Sequence, residues 1–158
     1  MLTVRTICHP TDFSEQSGYA LRLAGALARD YGARLVLLHV ALPPMPVYGG
    51  EVLVAVPPSS HDEERQHLDR LEVPDGVPTE RRLVEGAPVE EILRVASEVS
   101  ADLIVMGTHG RTGLARLLMG SVAEQVVRKA RCPVLTVKTP FPDAAPSPAL
   151  TREEAVTI

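Results

Sequence analysis

Short apolar runs alternate with helical patterns along most of this chain, and this alternation limits its possible folds more than any other feature. The runs Leu-Val-Leu-Leu at 35–38 and Leu-Ile-Val-Met at 103–106 are continuously apolar, as is typical of parallel strands covered on both faces. In the segments that separate the runs, apolar residues recur at three- and four-residue spacing, which predicts helices with one buried face. We therefore predict an α/β fold, a doubly wound parallel sheet with helices on both faces.

The predicted elements follow the order β-α-β-loop-α-β-α-β-α-β, with strands at 4–10, 34–40, 79–84, 103–106 and 133–138. The third strand is polar, so we expect it at an edge of the sheet. Ligands of such sheets bind outside the carboxyl ends of the strands, where the winding reverses. The loops at 10–14, 40–60, 84–88 and 107–121 are therefore the candidate ligand-binding loops.

A length of 158 residues favours one domain. Five prolines and a Gly-Gly pair make 41–60 a loop, and four more prolines follow Lys138. We expect a single domain over 1–138 and a disordered tail over 139–158.

Composition excludes several classes of partner. The net charge of −4 gives no general attraction for nucleic acid, and 3% aromatic residues leave little for stacking on bases. No apolar run approaches the roughly 18 residues that a membrane span requires, and the start of the chain lacks a signal-peptide pattern. The two cysteines have no metal-ligand spacing. We expect a cytoplasmic protein with no membrane insertion.

The loop at 107–121 carries the most informative chemistry. Gly107 and Gly110 allow the backbone to approach a phosphate closely, and successive amides can then form an anion nest. A helix is predicted to begin near Ser121, which offers its unpaired N–H groups and a hydroxyl. Arg111 and Arg116 can add positive charge.

The same residues have simpler interpretations. Ser121 with Glu124 has the spacing of an ordinary capping box, and Gly107 and Gly110 are also suited to a tight turn. The sequence contains neither G-x-x-x-x-G-K-[ST] nor G-x-G-x-x-G, which argues against a P-loop enzyme and a dinucleotide-binding Rossmann enzyme. From chemistry alone, a phosphate site and a structural turn both stay open.

The glycine spacing resembles a known signature. Gly107-x-x-Gly110, nine residues and Gly120-Ser121 match the G-2x-G-9x-G-[S/T] pattern of nucleotide-binding universal stress proteins. The segments 9–12, 103–110, 120–127 and 132–138 are also similar to that family. The resemblance covers about 3–138.

The resemblance implies a five-stranded sheet of order 3-2-1-4-5 with ATP, ADP or AMP between the first and fourth strands. Thr11 and Asp12 would lie near ribose and phosphates, with Asp12 beside a Mg²⁺ ion, and Val40 would contact adenine through its backbone. The full candidate site is Pro10, Thr11, Asp12, Val40, Met106, Gly107, His109, Gly110, Arg111, Gly120, Ser121 and Val122.

The last strand is a candidate interface. Val134, Leu135 and Val137 give it an apolar edge, and exposed apolar edges invite pairing. The resemblance implies a homodimer through this strand. A further protein partner is expected, with no identity indicated.

Three functions are compatible with these features. The first is a dimeric ATP-binding module of stress response or regulation, with slow or no hydrolysis, because no Walker lysine and no arginine finger is identifiable. The second is a Mg²⁺-dependent ATPase or adenylyl-transfer enzyme that uses Asp12 and His109. The third is a nucleotide-free dimeric scaffold.

A few residues have local predictions. Asp12 with Glu15 has capping-box spacing, with Ser14 as the alternative N-cap. The helical periods place Tyr31 and Val127 on inward faces. We interpret Arg81-Arg82 as a solvated face, Cys8 as a small core residue, and His9 and His39 as packed or solvent-facing side chains rather than a metal pair.

Overall fold

The structure, a computed structural model, describes residues 3–43, 59–108 and 119–138. Most of the proline-rich loop, the middle of the glycine loop and the predicted tail lie outside these ranges. The elements are β1 (Thr6–Pro10), α1 (Glu15–Tyr31), β2 (Arg34–Ala41), α2 (Ser59–Asp69), β3 (Thr79–Glu85), α3 (Pro88–Glu98), β4 (Leu103–Gly107), α4 (Ser121–Lys129) and β5 (Val134–Val137).

The sheet is parallel and its strands follow the order β3-β2-β1-β4-β5. The predicted fold class and strand order are confirmed. In the register of the sheet, Ile7 of β1 lies between Leu35 of β2 and Leu103 of β4. The polar β3 is an edge strand, as predicted, and β5 is the other edge.

Each face of the sheet has its own apolar core. On one face, α1 and α2 pack through Ala24, Ala28 and Leu68 onto side chains such as Leu35 and Leu37. On the other face, α3 and α4 pack onto the sheet, as shown by Ile92, Val95, Val126, Val36 and Ile104. Successive residues of a strand point to opposite faces, and every residue of β1 and most residues of β2 are buried, so both strands are covered on both sides. This explains the continuous apolar run of β2 at 35–38.

The ends of the helices follow local rules, with one correction. The N-cap of α1 is Ser14, whose side chain accepts from the amide of Ser17. Asp12 instead accepts from the amide of Ser14 in a turn that precedes the helix, so the capping box of Asp12 and Glu15 is wrong. At the other end, Gly32 has φ of 64°, a conformation that favours glycine. Pro88 opens α3, where its missing N–H costs nothing.

Three packing predictions are wrong. Tyr31 and Val127 are 47% and 43% exposed. Tyr31 is the last residue of α1, and Val127 lies at the margin of the buried face of α4. Arg81 is not a solvated charge: its guanidinium donates to the carbonyls of Leu68 and Leu71, at the carboxyl end of α2. This pairing satisfies carbonyls that have no partner within the helix.

Arg82 is also paired, with Glu80 and Glu98. Among the described residues, none of the helices has the length and apolar content to cross a bilayer.

Candidate functional site

A cavity of about 260 Å³ lies at the carboxyl ends of β1 and β4. From β1 the chain crosses to β2 on one side, and from β4 it crosses to β5 on the other. The winding of the sheet therefore reverses between these two strands, which is where ligands of doubly wound sheets bind.

Every predicted site residue within the described ranges lines this cavity. His109, Gly110 and Arg111, together with Arg116, lie outside those ranges. The predicted residues around the cavity are Pro10, Thr11, Asp12, Val40, Met106, Gly107, Gly120, Ser121 and Val122.

The turn between β1 and α1 forms one wall and is fixed by its own hydrogen bonds. The hydroxyl of Thr11 accepts from the amide of Phe13 at 3.1 Å and from the hydroxyl of Ser17 at 2.8 Å. The carboxylate of Asp12 accepts from the amide of Ser14 at 3.0 Å. The carbonyl of Thr11 accepts from Nδ1 of His39 at 2.7 Å.

The start of α4 forms the opposite wall. Gly120 is the N-cap, and its carbonyl accepts from the amide of Glu124 at 2.9 Å. The amides of Ser121, Val122 and Ala123 precede this first helical bond, so they have no partner within the helix. Ser121 is thus the first helical residue rather than the N-cap, and the capping box of Ser121 and Glu124 is wrong.

At the cavity, Gly107 is needed for space rather than for an unusual dihedral angle. A Cβ at Gly107 would lie 3.1 Å from the carbonyl carbon of Gln16 and 3.2 Å from the amide nitrogen of Ser17. Gly107 therefore lets the end of β4 pack against the first turn of α1. Gly120 has φ of −69°, which any residue can adopt.

Backbone groups of Val40 face the cavity. The carbonyl of Leu38 accepts from the amide of Thr11 at 2.8 Å, so Leu38 points its backbone groups toward β1. Because directions alternate along a strand, Val40 points the same way, beyond the last residue of β1. Ala41 points the other way, and its carbonyl accepts from Gly86 at 3.0 Å. Val40 thus offers one N–H and one C=O to the cavity.

Thr108 is the clearest polar residue that the sequence analysis did not identify. It is 5% exposed, and its hydroxyl has no hydrogen-bond partner among the described residues. Its position inside the glycine signature was the available signal. Pro88 falls in the candidate ligand-binding loop at 84–88, and Ile92 lies one helical turn beyond it. The full set of other unpredicted lining residues is Ser17, Leu38, His39, Pro88, Ile92 and Ala123.

Two buried titratable groups lie on β1, on either side of the sheet. Burial lowers the pKa of His9 to about 4, so the ring is neutral at pH 7 and its Nδ1 donates to the carbonyl of Val105 at 2.8 Å. Burial raises the pKa of Cys8 to about 12, so its thiol is inert. Among the described residues, no group of three or more His, Cys, Asp or Glu side chains is arranged to hold a metal ion.

Comparison with known proteins identifies the family. Residues 3–138 match the sequence model of the Universal stress protein family. The chain belongs to the universal stress protein family. It is 37% identical over 141 residues to universal stress protein MJ0531 of Methanocaldococcus jannaschii, covering 86% of this chain and 83% of that protein.

Solved structures agree with this assignment. The structure of MJ0577, a universal stress protein of the same archaeon, has a TM-score of 0.77 and 32% identity, and the match covers 89% of this chain and 99% of that one. A universal stress protein from Archaeoglobus fulgidus, solved in complex with dAMP, has a TM-score of 0.60 and 26% identity over 87% of this chain and 100% of that one. Nucleotide binding therefore occurs among the structural relatives of this universal stress protein.

Proposed function

We propose that this universal stress protein binds ATP in the cavity between β1 and β4 and acts as a dimeric regulatory module in the cytoplasm. The observation that carries the proposal is the start of α4, whose first three amides have no partner within the helix and whose residues border a cavity of about 260 Å³. Helix N-termini attract anions through these amides and the helix dipole. The buried hydroxyl of Thr108 adds a polar group that a ligand would satisfy.

The phosphates belong at α4 rather than at the other two helices that border the cavity. The start of α1 is occupied by the side chain of Ser14. The start of α3 has a proline in place of its first donor and two acidic residues, Glu90 and Glu91, in its first turn. Both features disfavour an anion, whereas the first turn of α4 has three amides without a partner within the helix.

The adenine ring fits the opposite end of the cavity. Leu38, Ile92 and Met106 supply apolar walls, and Val40 supplies the adjacent donor and acceptor that the edge of an adenine requires. The dAMP bound to the Archaeoglobus relative supports an adenine nucleotide as ligand.

Mg²⁺ would enter with the nucleotide. In nucleotide sites this ion is usually held by substrate phosphates, water and one or two carboxylates, so a preformed metal cluster is unnecessary. Asp12 lines the cavity and is the carboxylate placed to contribute. We propose slow or absent turnover, because His39 already donates its Nδ1–H to the carbonyl of Thr11 and the sequence contains no Walker lysine.

Dimerisation through the β5 edge completes the proposal. Leu135 of β5 is 38% exposed although it is a large apolar residue, and an exposed strand edge offers unpaired backbone groups. Sedimentation at micromolar concentration tests this part: a dimer is expected, and a pure monomer contradicts it.

Calorimetric titration with ATP tests the nucleotide site. The wild-type chain is expected to bind one ATP per protomer, and Gly120→Val to abolish binding by placing a side chain at the phosphate position. Gly18→Val is the matched control, because nothing lies within 4 Å of a Cβ at Gly18. Absence of binding by the wild-type protein, or equal affinity of the wild type and Gly120→Val, would overturn the proposed site.

A further inference from the structure

The side chain of Phe13 is held between two histidines from different elements. Its ring centroid lies 4.2 Å from that of His39 on β2, with 31° between the planes. On its other side, the ring of His67 on α2 is stacked at 4.4 Å and 4°. We call His39, Phe13 and His67 the aromatic stack. It joins helix α2 to the turn between β1 and α1.

The inner end of the stack is bonded to the wall of the cavity. His39 is 5% exposed, and its Nδ1 donates to the carbonyl of Thr11 at 2.7 Å. The amide of Phe13 donates to the hydroxyl of Thr11 at 3.1 Å. The ring of His39 and the backbone of Phe13 are therefore both bonded to Thr11, which lines the cavity together with the neighbouring Asp12.

The outer end of the stack belongs to α2. Leu68 of this helix is wholly buried, and its other described side chains are polar and at least partly exposed. Glu64 of the same helix places its Oε1 3.5 Å from Nε2 of His39. His67 therefore joins α2 to Phe13 of the turn, and Glu64 joins α2 to His39 of β2.

The turn needs this support because its backbone is strained. Phe13 has φ of 63°, a left-handed conformation that is unfavourable for a bulky residue. Such residues persist only where their surroundings hold them, and they occur preferentially at ligand sites. Rings packed on both faces of Phe13 provide that restraint.

We propose that the aromatic stack makes α2 a positioning element of the nucleotide site. His67 and Phe13 act through His39 and Thr11, and they keep the Thr11–Asp12 wall in the shape that accepts the nucleotide. The inference rests on the proposed nucleotide site. Because coupling is reciprocal, bound nucleotide also stabilises α2.

The first experiment compares two histidines of the same helix. His67 stacks on Phe13, whereas His61 lies 3.6 Å from Glu85 at the end of β3. In calorimetric titrations with ATP, His67→Ala is expected to weaken binding about three- to tenfold, the range expected for loss of one aromatic contact. His61→Ala is expected to stay within about twofold of wild type. Equal affinities for the two variants would overturn the proposal.

The second experiment tests the bond from His39 by conservative rescue. His39→Leu removes the donor and leaves the carbonyl of Thr11 unsatisfied, with an expected loss of affinity of about tenfold. His39→Asn can place an N–H near the position of Nδ1 and is expected to recover most of the affinity. His9 is the matched control: it makes a similar buried bond, to Val105, so His9→Leu lowers the melting temperature but leaves affinity within about twofold. A loss in His39→Asn as large as in His39→Leu would contradict the role of this bond.

Hydrogen exchange separates this inference from the proposed function. ATP is expected to slow exchange over 61–69 in the wild type and in His61→Ala but not in His67→Ala. If wild-type protein binds ATP and all variants bind it within twofold, the stack has no positioning role and the nucleotide site stands. If wild-type protein binds no ATP, the proposed function fails. In that case, the exchange rates of the Phe13 and Ser14 amides in nucleotide-free protein test whether the stack holds the turn. Faster exchange in His67→Ala than in His61→Ala supports this role, and equal exchange overturns it.

Discussion

Two helix starts face each other across the same cavity, and they are built in opposite ways. At α1, Ser14 accepts from the amide of Ser17, and Asp12 accepts from the amide of Ser14. At α4, the N-cap is Gly120, which has no side chain, and the amides of the first turn are left for another partner.

The difference shows how the chain divides two tasks. The start of α1 is closed by its own side chains and serves as a fixed wall. The start of α4 is open and has the donors that an anion needs. A cap costs little to build, since Ser, Asn or Asp would each fit the extended conformation of residue 120. Its absence at α4 is therefore consistent with a helix start that a ligand completes.

The largest expected effect comes from making α4 resemble α1. Gly120→Asp supplies a capping carboxylate at the proposed phosphate position, so ATP affinity is expected to fall at least about 100-fold through steric and charge repulsion. The free energy of unfolding without nucleotide is expected to stay the same or rise by a few tenths of a kcal/mol. Titration calorimetry and urea unfolding measure the two quantities. Unchanged ATP affinity in this variant would show that the start of α4 does not bind the phosphates and would contradict the proposed difference between the two helix starts.

A substitution at Gly107 tests how closely the end of β4 packs against the start of α1. A Cβ at this position would lie 3.1 Å from the backbone of Gln16, so Gly107→Ala is expected to separate β4 from α1. We expect a loss of about 2 kcal/mol of stability and weaker ATP binding. Gly18→Ala is the control within α1: its Cβ meets nothing within 4 Å, so a gain of about 0.5–1 kcal/mol is expected. A destabilisation equal in the two variants would contradict the close packing at Gly107.

His9 lies on the strand that leads to α1 and bonds to the strand that leads to Gly107. Its pKa is lowered from 6.5 to about 4 by burial, so the unfolded chain takes up a proton before the folded chain does. Stability is therefore full above pH 6.5 and falls as the pH drops toward 4, by about 2 kcal/mol at pH 5.

The measurement is urea unfolding of wild type and His9→Asn at pH 7.5 and pH 5. The other histidines contribute similarly to both proteins, so the difference between the proteins reports His9. An identical pH dependence in the two proteins would contradict a neutral buried ring.

The smallest effect is expected at the closed helix start. Ser14→Ala removes the cap of α1 and is expected to cost about 1 kcal/mol of stability, visible as a lower midpoint of urea unfolding. ATP affinity is expected to change less than about threefold, because Ser14 does not line the cavity. A larger loss of affinity than in Ser121→Ala would reverse the roles assigned to the two helices.

The sequence was sufficient for the sheet and for part of the cavity wall. Apolar runs such as Leu35 to Leu38 and the amphipathic helices between them predict the layers, and the resemblance to the family predicts the strand order. The signature also identifies Gly107, Gly120 and Ser121, which line the cavity.

Contacts between distant segments were not predictable in the same way. Several neighbouring residues can each serve as an N-cap, so the sequence does not fix the exact start of a helix. The capping boxes predicted at Asp12 and Ser121 are wrong for this reason, because the N-caps are Ser14 and Gly120. Ile92 and His39 enter the cavity only through the packing of α3 and β2. The left-handed backbone conformation of Phe13 had no sequence signal. The rings that hold it, those of His39 and His67, come from segments 26 and 54 residues further along the chain.

The position of the phosphates is the central claim, and amide chemical shifts measured by NMR during titration with ATP test it most directly. The largest changes are expected at the amides of Ser121, Val122 and Ala123, with much smaller changes at the capped start of α1 from Glu15 onward. ADP and adenosine should produce progressively smaller changes at α4 while still perturbing Val40. If ATP leaves the amides of α4 unmoved, or moves them no more than adenosine does, the phosphates do not bind at this helix.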